Sequence, residues 1–189
     1  MTGPEKELGS ITLAPYIFKA MPLIGVRRKA GSNMFRHQIN TMAILLDYKF
    51  INAVLLKAAV IHDLFEDAPG MPGVSREEII CIDEDGPAVY SLVMEVTRRI
   101  VDGIKESKSV YLTRVMESGS ERAKILKLAD RISNIYALGF VSDEAFVSRY
   151  LRETREFVLP HAKRVNADMF RELSDLVDDR QQKSKYAPQ

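Results

Sequence analysis

The chain has 189 residues, 46% of them hydrophobic, which is enough to bury one substantial core but leaves a second full domain cramped. Its 27 basic and 26 acidic residues leave a formal charge of +1, which argues against bulk attraction to nucleic acid or to an anionic membrane. The one cysteine, Cys81, excludes an intrachain disulfide and thiolate metal clusters of the zinc-finger kind.

Apolar residues recur at three- and four-residue intervals while strict alternation is hard to find, so the expected fold is all-α. In chain order, helices are expected over Leu8 to Ala20, Asn33 to Leu46, Asn52 to Phe65, Ser75 to Ile80 and Ala88 to Arg99. Further helices are expected over Ser109 to Met116, Ser120 to Ala137, Asp143 to Phe157 and Pro160 to Leu176. Asn33, Ser75 and Ser120 supply N-terminal capping side chains, and Glu77, Glu78 and Glu121 lie in first turns. Prolines and glycines mark a loop over Ala68 to Gly73.

The expected organisation is a single domain over residues 1–178 followed by a flexible polar tail over 179–189, with Gln181, Gln182 and Lys183. The N-terminal segment carries Glu5 and Glu7 and no signal pattern, and no apolar run reaches the roughly 18 residues of a membrane span. A cytoplasmic protein with no membrane or nucleic-acid partner is therefore expected, its oligomeric state unread.

The chemistry concentrates in Val60-Ile61-His62-Asp63-Leu64-Phe65-Glu66-Asp67, where four polar residues continue a stretch built from Val54, Leu55, Leu56, Ala58 and Ala59. Unpaired carboxylates buried beside an imidazole cost about several kcal/mol, so pairing or a metal ion must offset them. These four are expected inside the helix, whose geometry puts His62 and Glu66 on one face and Asp63 and Asp67 on the adjacent strip, so that they converge on one pocket. Alone, the segment reads more readily as a helix end with solvated acids and a core histidine.

Two further segments change that balance. His37 lies in a helix whose apolar face is Ile39, Met42, Leu45 and Leu46, and Asp130 lies one turn before Asn134 among Ile125, Leu126, Leu128, Ile132 and Ile135. Together they offer His, His-Asp and Asp from three helices. That mixed nitrogen and oxygen set suits a divalent transition metal in a helical bundle, with octahedral Mn²⁺ or Fe²⁺ keeping positions open for water and phosphate oxygen.

His37, the His62-Asp63 pair and Asp130 resemble the H...HD...D signature of the HD phosphohydrolase superfamily. More narrowly, His62-Asp63-x-x-Glu66-Asp67 resembles the H-D-x-x-E-D motif of the RelA/SpoT-type alarmone hydrolases and their small hydrolase-only relatives. Arg28-Lys29-x-Gly31 ahead of His37, Val96-Thr97, Leu128-Ala129-Asp130-Arg131 with Asn134, and Arg152-Glu153-Thr154 with Phe157, Pro160 and Ala162 are similar to further segments of that family, in its order. The likeness runs from about Thr12 to Leu176. Departures are Gln38 where many members have proline after the first histidine, and Asp85-Gly86-Pro87 in place of the usual F-G.

The resemblance implies an HD-domain helical bundle with a metal site between helices, bound by His37, His62, Asp63 and Asp130 around Mn²⁺ or another divalent transition metal. It implies that Glu66 and Asp67 act on the attacking water, and that (p)ppGpp loses its 3′-pyrophosphate to give GDP or GTP. Substrate contacts would come from Arg28 and Lys29, from Asn134 to ribose, and from Lys127 to phosphate charge. Alternative readings are an HD hydrolase of another nucleotide, such as an adenine analogue, NADPH or a 5′-nucleotide, or a catalytically silent nucleotide-binding module. The silent module predicts loss of a ligand or of the acidic pair, and none is lost. His161, without carboxylate neighbours in sequence, reads as a surface or packing residue.

Overall fold

Capping side chains set most helix starts. In the computed structural model, which describes residues 3–185, Asn33 accepts from the Arg36 amide to begin α3 (Met34–Asp47), and Asn52 accepts from the Leu55 amide to begin α4 (Ala53–Ile61). Ser75 does the same for α6 (Arg76–Ile80), Ser107 for α8 (Lys108–Thr113), Ser120 for α9 (Glu121–Ala137) and Asp143 for α10 (Glu144–Phe157). The all-α expectation holds, with one two-stranded hairpin added.

The chain forms two compact units, one running from the N-terminus to Val26 plus Asn33–Arg98, the other made of Arg27–Ser32 plus the remainder from Arg99. In the first, α4 is buried on every side from Val54 to Ile61, as a sequence that is apolar but for Lys57 dictates. It packs against α2 (Ala14–Ala20), α3 and α7 (Gly86–Val96), and α6 packs on α7. In the second, α9 is the buried helix, enclosed from Ile125 to Ile135, and α11 (Leu159–Val165) and α12 (Ala167–Lys185) pack against it.

Several expected helices are broken, each for a local reason. The stretch over Leu8 to Ala20 divides into α1 (Pro4–Ser10) and α2, because Pro15 in the first turn of α2 has no amide proton to carry a helix through. Pro160 to Leu176 divides at Asn166, whose Oδ1 accepts from the Asp168 and Met169 amides at 3.0 and 2.8 Å and so caps α12. Asn52 to Phe65 stops at Ile61 and resumes as α5 (Leu64–Asp67). His62 Nδ1 donates to the Ala59 carbonyl at 2.9 Å, an acceptor that a continuing helix would offer to the Asp63 amide. The four polar residues therefore do not lie within one helix.

At the C-terminal end α12 runs on to Lys185, beyond the point where the sequence suggests a flexible tail; residues 186–189 lie outside the described residues. Buried Val177, the Lys183–Asp179 pair at 2.9 Å and the Arg180 bond to the Tyr136 carbonyl at 3.2 Å support that extension. The hairpin pairs β1 (Ile100–Val101) with β2 (Ile104–Lys105), and Asp102 and Gly103 turn at φ 51° and 75°. Both angles are positive, the geometry for which Asp-Gly is suited. Among the described residues no helix is long and apolar enough to cross a membrane.

One buried ionic network anchors α4. Lys57 is 5% exposed and donates to Asp83 Oδ2 and Asp85 Oδ2 at 2.7 Å each, while Tyr16 Oη donates to Asp83 Oδ1 at 2.7 Å. Burial acts to raise the Asp83 carboxyl, but hydrogen bonds from Lys57 and Tyr16 outweigh it and hold the group below its ordinary value of 3.8. A carboxylate depressed in the folded state contributes stability that is complete above the unfolded value and lost as pH falls through it toward the folded value. The expected outcome is that resistance to urea declines between about pH 5 and about pH 3, and that Asp83→Asn flattens this decline. Equal slopes for the two proteins would contradict the network's role.

Candidate metal centre

In the first unit, the fold brings together the residues that the sequence separates by a loop and a helix. His37 sits one turn into α3, His62 caps the C-terminal end of α4, and the two helices pack on one another. Each imidazole is 1% exposed, and the rings meet edge to face with centroids 5.1 Å apart. The carbonyl of Ala59 can only accept, so His62 Nδ1 carries a proton and Nε2 faces the other way, toward Asp63.

That Nε2 lies 3.2 Å from Asp63 Oδ2, and His37 Nε2 lies 3.4 Å from the same oxygen. One ligand atom from each of the three side chains falls within 4.8 Å of the others. A lone pair facing a carboxylate oxygen at this distance is repulsive unless a proton or a cation stands between them. Two imidazole nitrogens and one carboxylate oxygen form a donor set that fits a divalent transition metal, with coordination positions left over. Gln38, the next residue along α3, directs Nε2 toward the same Asp63 oxygen at 3.4 Å.

The acidic pair follows on α5. Glu66 is half-buried, and the Arg98 amide donates to its Oε1 at 2.7 Å, which fixes the direction of the carboxylate. Asp67 is exposed.

The remaining candidates belong to the second unit. Asp130, 6% exposed in the middle of α9, accepts from Lys127 Nζ at 2.8 Å on one oxygen and from Asn134 Nδ2 at 2.6 Å on the other. Asn134 Nδ2 also reaches the Asp130 carbonyl at 2.9 Å, and Arg28 donates to Asn134 Oδ1. Lys127 and Asn134, expected from sequence to meet substrate, are thus buried and engaged with Asp130. Arg28 is half-buried and Lys29 exposed. Gly31 is required where it stands, since its φ is +83° and a Cβ there would lie 2.9 Å from the Ala137 carbonyl oxygen.

Sequence reasoning missed the aromatic support of this acid. Arg131 stacks 4.2 Å from the Tyr150 ring centroid and donates to Thr154 Oγ1 at 3.1 Å, and Lys127 lies 4.9 Å from the Tyr111 centroid. Burial pushes the Tyr150 hydroxyl well above its ordinary value, and the charges that act on it are those of Arg131, Asp130, Lys127 and Arg28. Its signal was present, since Tyr150 precedes Thr154 by one turn in the segment that carries Arg-Glu-Thr. His161 does have a carboxylate neighbour in space, Glu117 at 3.8 Å. Both line a cavity of about 520 Å³ with Lys124 and Arg164, and none of its lining residues is a predicted metal or substrate residue.

No protein-family model matches the sequence, and no curated protein is similar to it by sequence. Structural comparison does find likeness. In fold the chain is of the HD-domain, RelA/SpoT-type class, in agreement with the resemblance carried by its motifs. The particular likeness is to a metazoan ortholog of SpoT that hydrolyzes ppGpp and plays a role in starvation responses, at 25% identity and a TM-score of 0.73 over 95% of this chain and 98% of that one.

The hydrogen bond to Ala59 makes a spectroscopic prediction. In metal-free protein above about pH 8, where imidazole is neutral, ¹⁵N shifts of His62 should report a protonated Nδ1 and a bare Nε2. The opposite tautomer would contradict the geometry of the site.

Proposed function

We propose that this chain is a divalent-metal-dependent hydrolase that removes the 3′-pyrophosphate of (p)ppGpp, releasing pyrophosphate and GDP or GTP. The observation that carries this reading is the meeting of His37 Nε2 and His62 Nε2 at one oxygen of Asp63, in a chain similar over 95% of its length to a SpoT ortholog that hydrolyzes ppGpp. His37, His62 and Asp63 would hold the ion, Asp130 would be the fourth protein ligand, and the ion would be Mn²⁺ or another divalent transition metal. When bound, such an ion polarises a phosphoryl group and lowers the pKa of water.

The protein's own residues supply the rest. Glu66, oriented by the Arg98 amide, and Asp67 beside it direct the attacking water at phosphorus and take its proton. The bond from phosphorus to the 3′ oxygen breaks, and that oxygen leaves as the ribose hydroxyl. Arg28 offers a planar guanidinium to guanine or phosphate, steadied by Asn134, and Lys29 offers an exposed ammonium to phosphate charge. Lys127 and Asn134 serve first by steadying Asp130 between them, and in the same reading contribute phosphate charge and a ribose contact. Residues 1–178 then work as one hydrolase domain.

Metal-stripped protein resupplied with Mn²⁺ is expected to release pyrophosphate from ppGpp, with Asp63→Ala at background and Glu66→Ala reduced by about 10²- to 10⁴-fold. If ppGpp persists while NADPH, an adenine analogue or a 5′-nucleotide loses phosphate, the hydrolase class stands and the substrate is wrong. Failure to turn over any of these with metal bound would favour a silent nucleotide-binding module.

A further inference from the structure

The buried stripe of α3 is Met34, His37, Gln38, Thr41 and Leu45, the three- and four-residue spacing of a helix face turned into the core. Thr41 satisfies itself there by donating to the His37 carbonyl at 3.0 Å. Gln38 has no such local solution. It is 0% exposed, its Nε2 reaches Asp63 Oδ2 at 3.4 Å, and its Oε1 has no hydrogen-bond partner. Methionine or leucine would fill that volume without burying an unpaired carbonyl, so an amide at this position works against stability unless its N–H has a task.

That N–H is aimed at the oxygen that both imidazoles face, at 3.2 and 3.4 Å. Asp63 follows the break between α4 and α5, with φ −99° and ψ 1°, so a continuing helix does not fix the direction of its carboxylate. We propose that Gln38 is a positioning residue of the metal centre, whose amide turns the Asp63 carboxylate toward His37 and His62. The inference rests on the metal reading above and deepens it. At 3.4 Å the contact lies at the long end for an N–H···O bond. An amide is also a donor that never titrates, so it steers the carboxylate without adding a charge beside the ligands.

Mn²⁺ titration of wild type, Gln38→Met, Gln38→Leu and His62→Ala, each with a melting curve in metal-free buffer, tests this. The expected result is a loss of Mn²⁺ affinity of about tenfold or more in both Gln38 variants. Their metal-free melting temperature should stay the same or rise, because an unpaired buried carbonyl has been removed. Wild-type affinity in Gln38→Met and Gln38→Leu overturns the proposal, as does a loss of affinity accompanied by a lower metal-free melting temperature, or failure of both variants to fold. The metal reading fails separately, if wild type itself does not bind Mn²⁺ or if His62→Ala binds it equally well.

Discussion

Two imidazole nitrogens and a carboxylate oxygen meet where α3 and α4 pack, at the end of a helix that is aliphatic from Ala58 to Ile61. Two imidazoles and a carboxylate within ligand distance of one another are a donor set suited to a divalent cation. The break in the helix falls at the same place, where His62 bonds the Ala59 carbonyl and Asp63 stands at the start of α5. An ion bound there would link metal affinity to local stability.

The second unit handles a buried acid in a different way. Asp130 has both carboxylate oxygens engaged, by Lys127 and Asn134, and Asn134 is held in turn by Arg28. Residues assigned from sequence to the nucleotide are thus occupied in holding an acid in a fixed orientation. Arg131, Tyr150 and Thr154 extend that support from α9 to α10. Hydrogen bonding of this kind fixes the direction of the Asp130 carboxylate in advance.

The helical class and the three side chains of the first-unit cluster were legible because both follow from composition and spacing. Aliphatic periodicity marked α3, α4 and α9, and charge placed against it marked His37, His62-Asp63 and Asp130. What escaped was set by single side chains acting on the backbone. Pro15 and Asn166 divide expected helices, the His62 imidazole ends α4, and Asp102-Gly103 folds a hairpin too short to show alternation. Partnerships across sequence, such as Arg131 with Tyr150 and Gln38 with Asp63, carry no periodic signal at all. The polar residues after Asp178 looked unable to bury anything, yet Arg180 and Lys183 bond well enough to carry α12 to Lys185.

Diffraction at the manganese edge from crystals soaked in Mn²⁺ tests the central claim most directly. The account expects an anomalous peak bonded to His37 Nε2, His62 Nε2 and the carboxylate of Asp63. A peak only elsewhere, for instance beside Glu117 and His161, with His37, His62 and Asp63 left unligated, would contradict it.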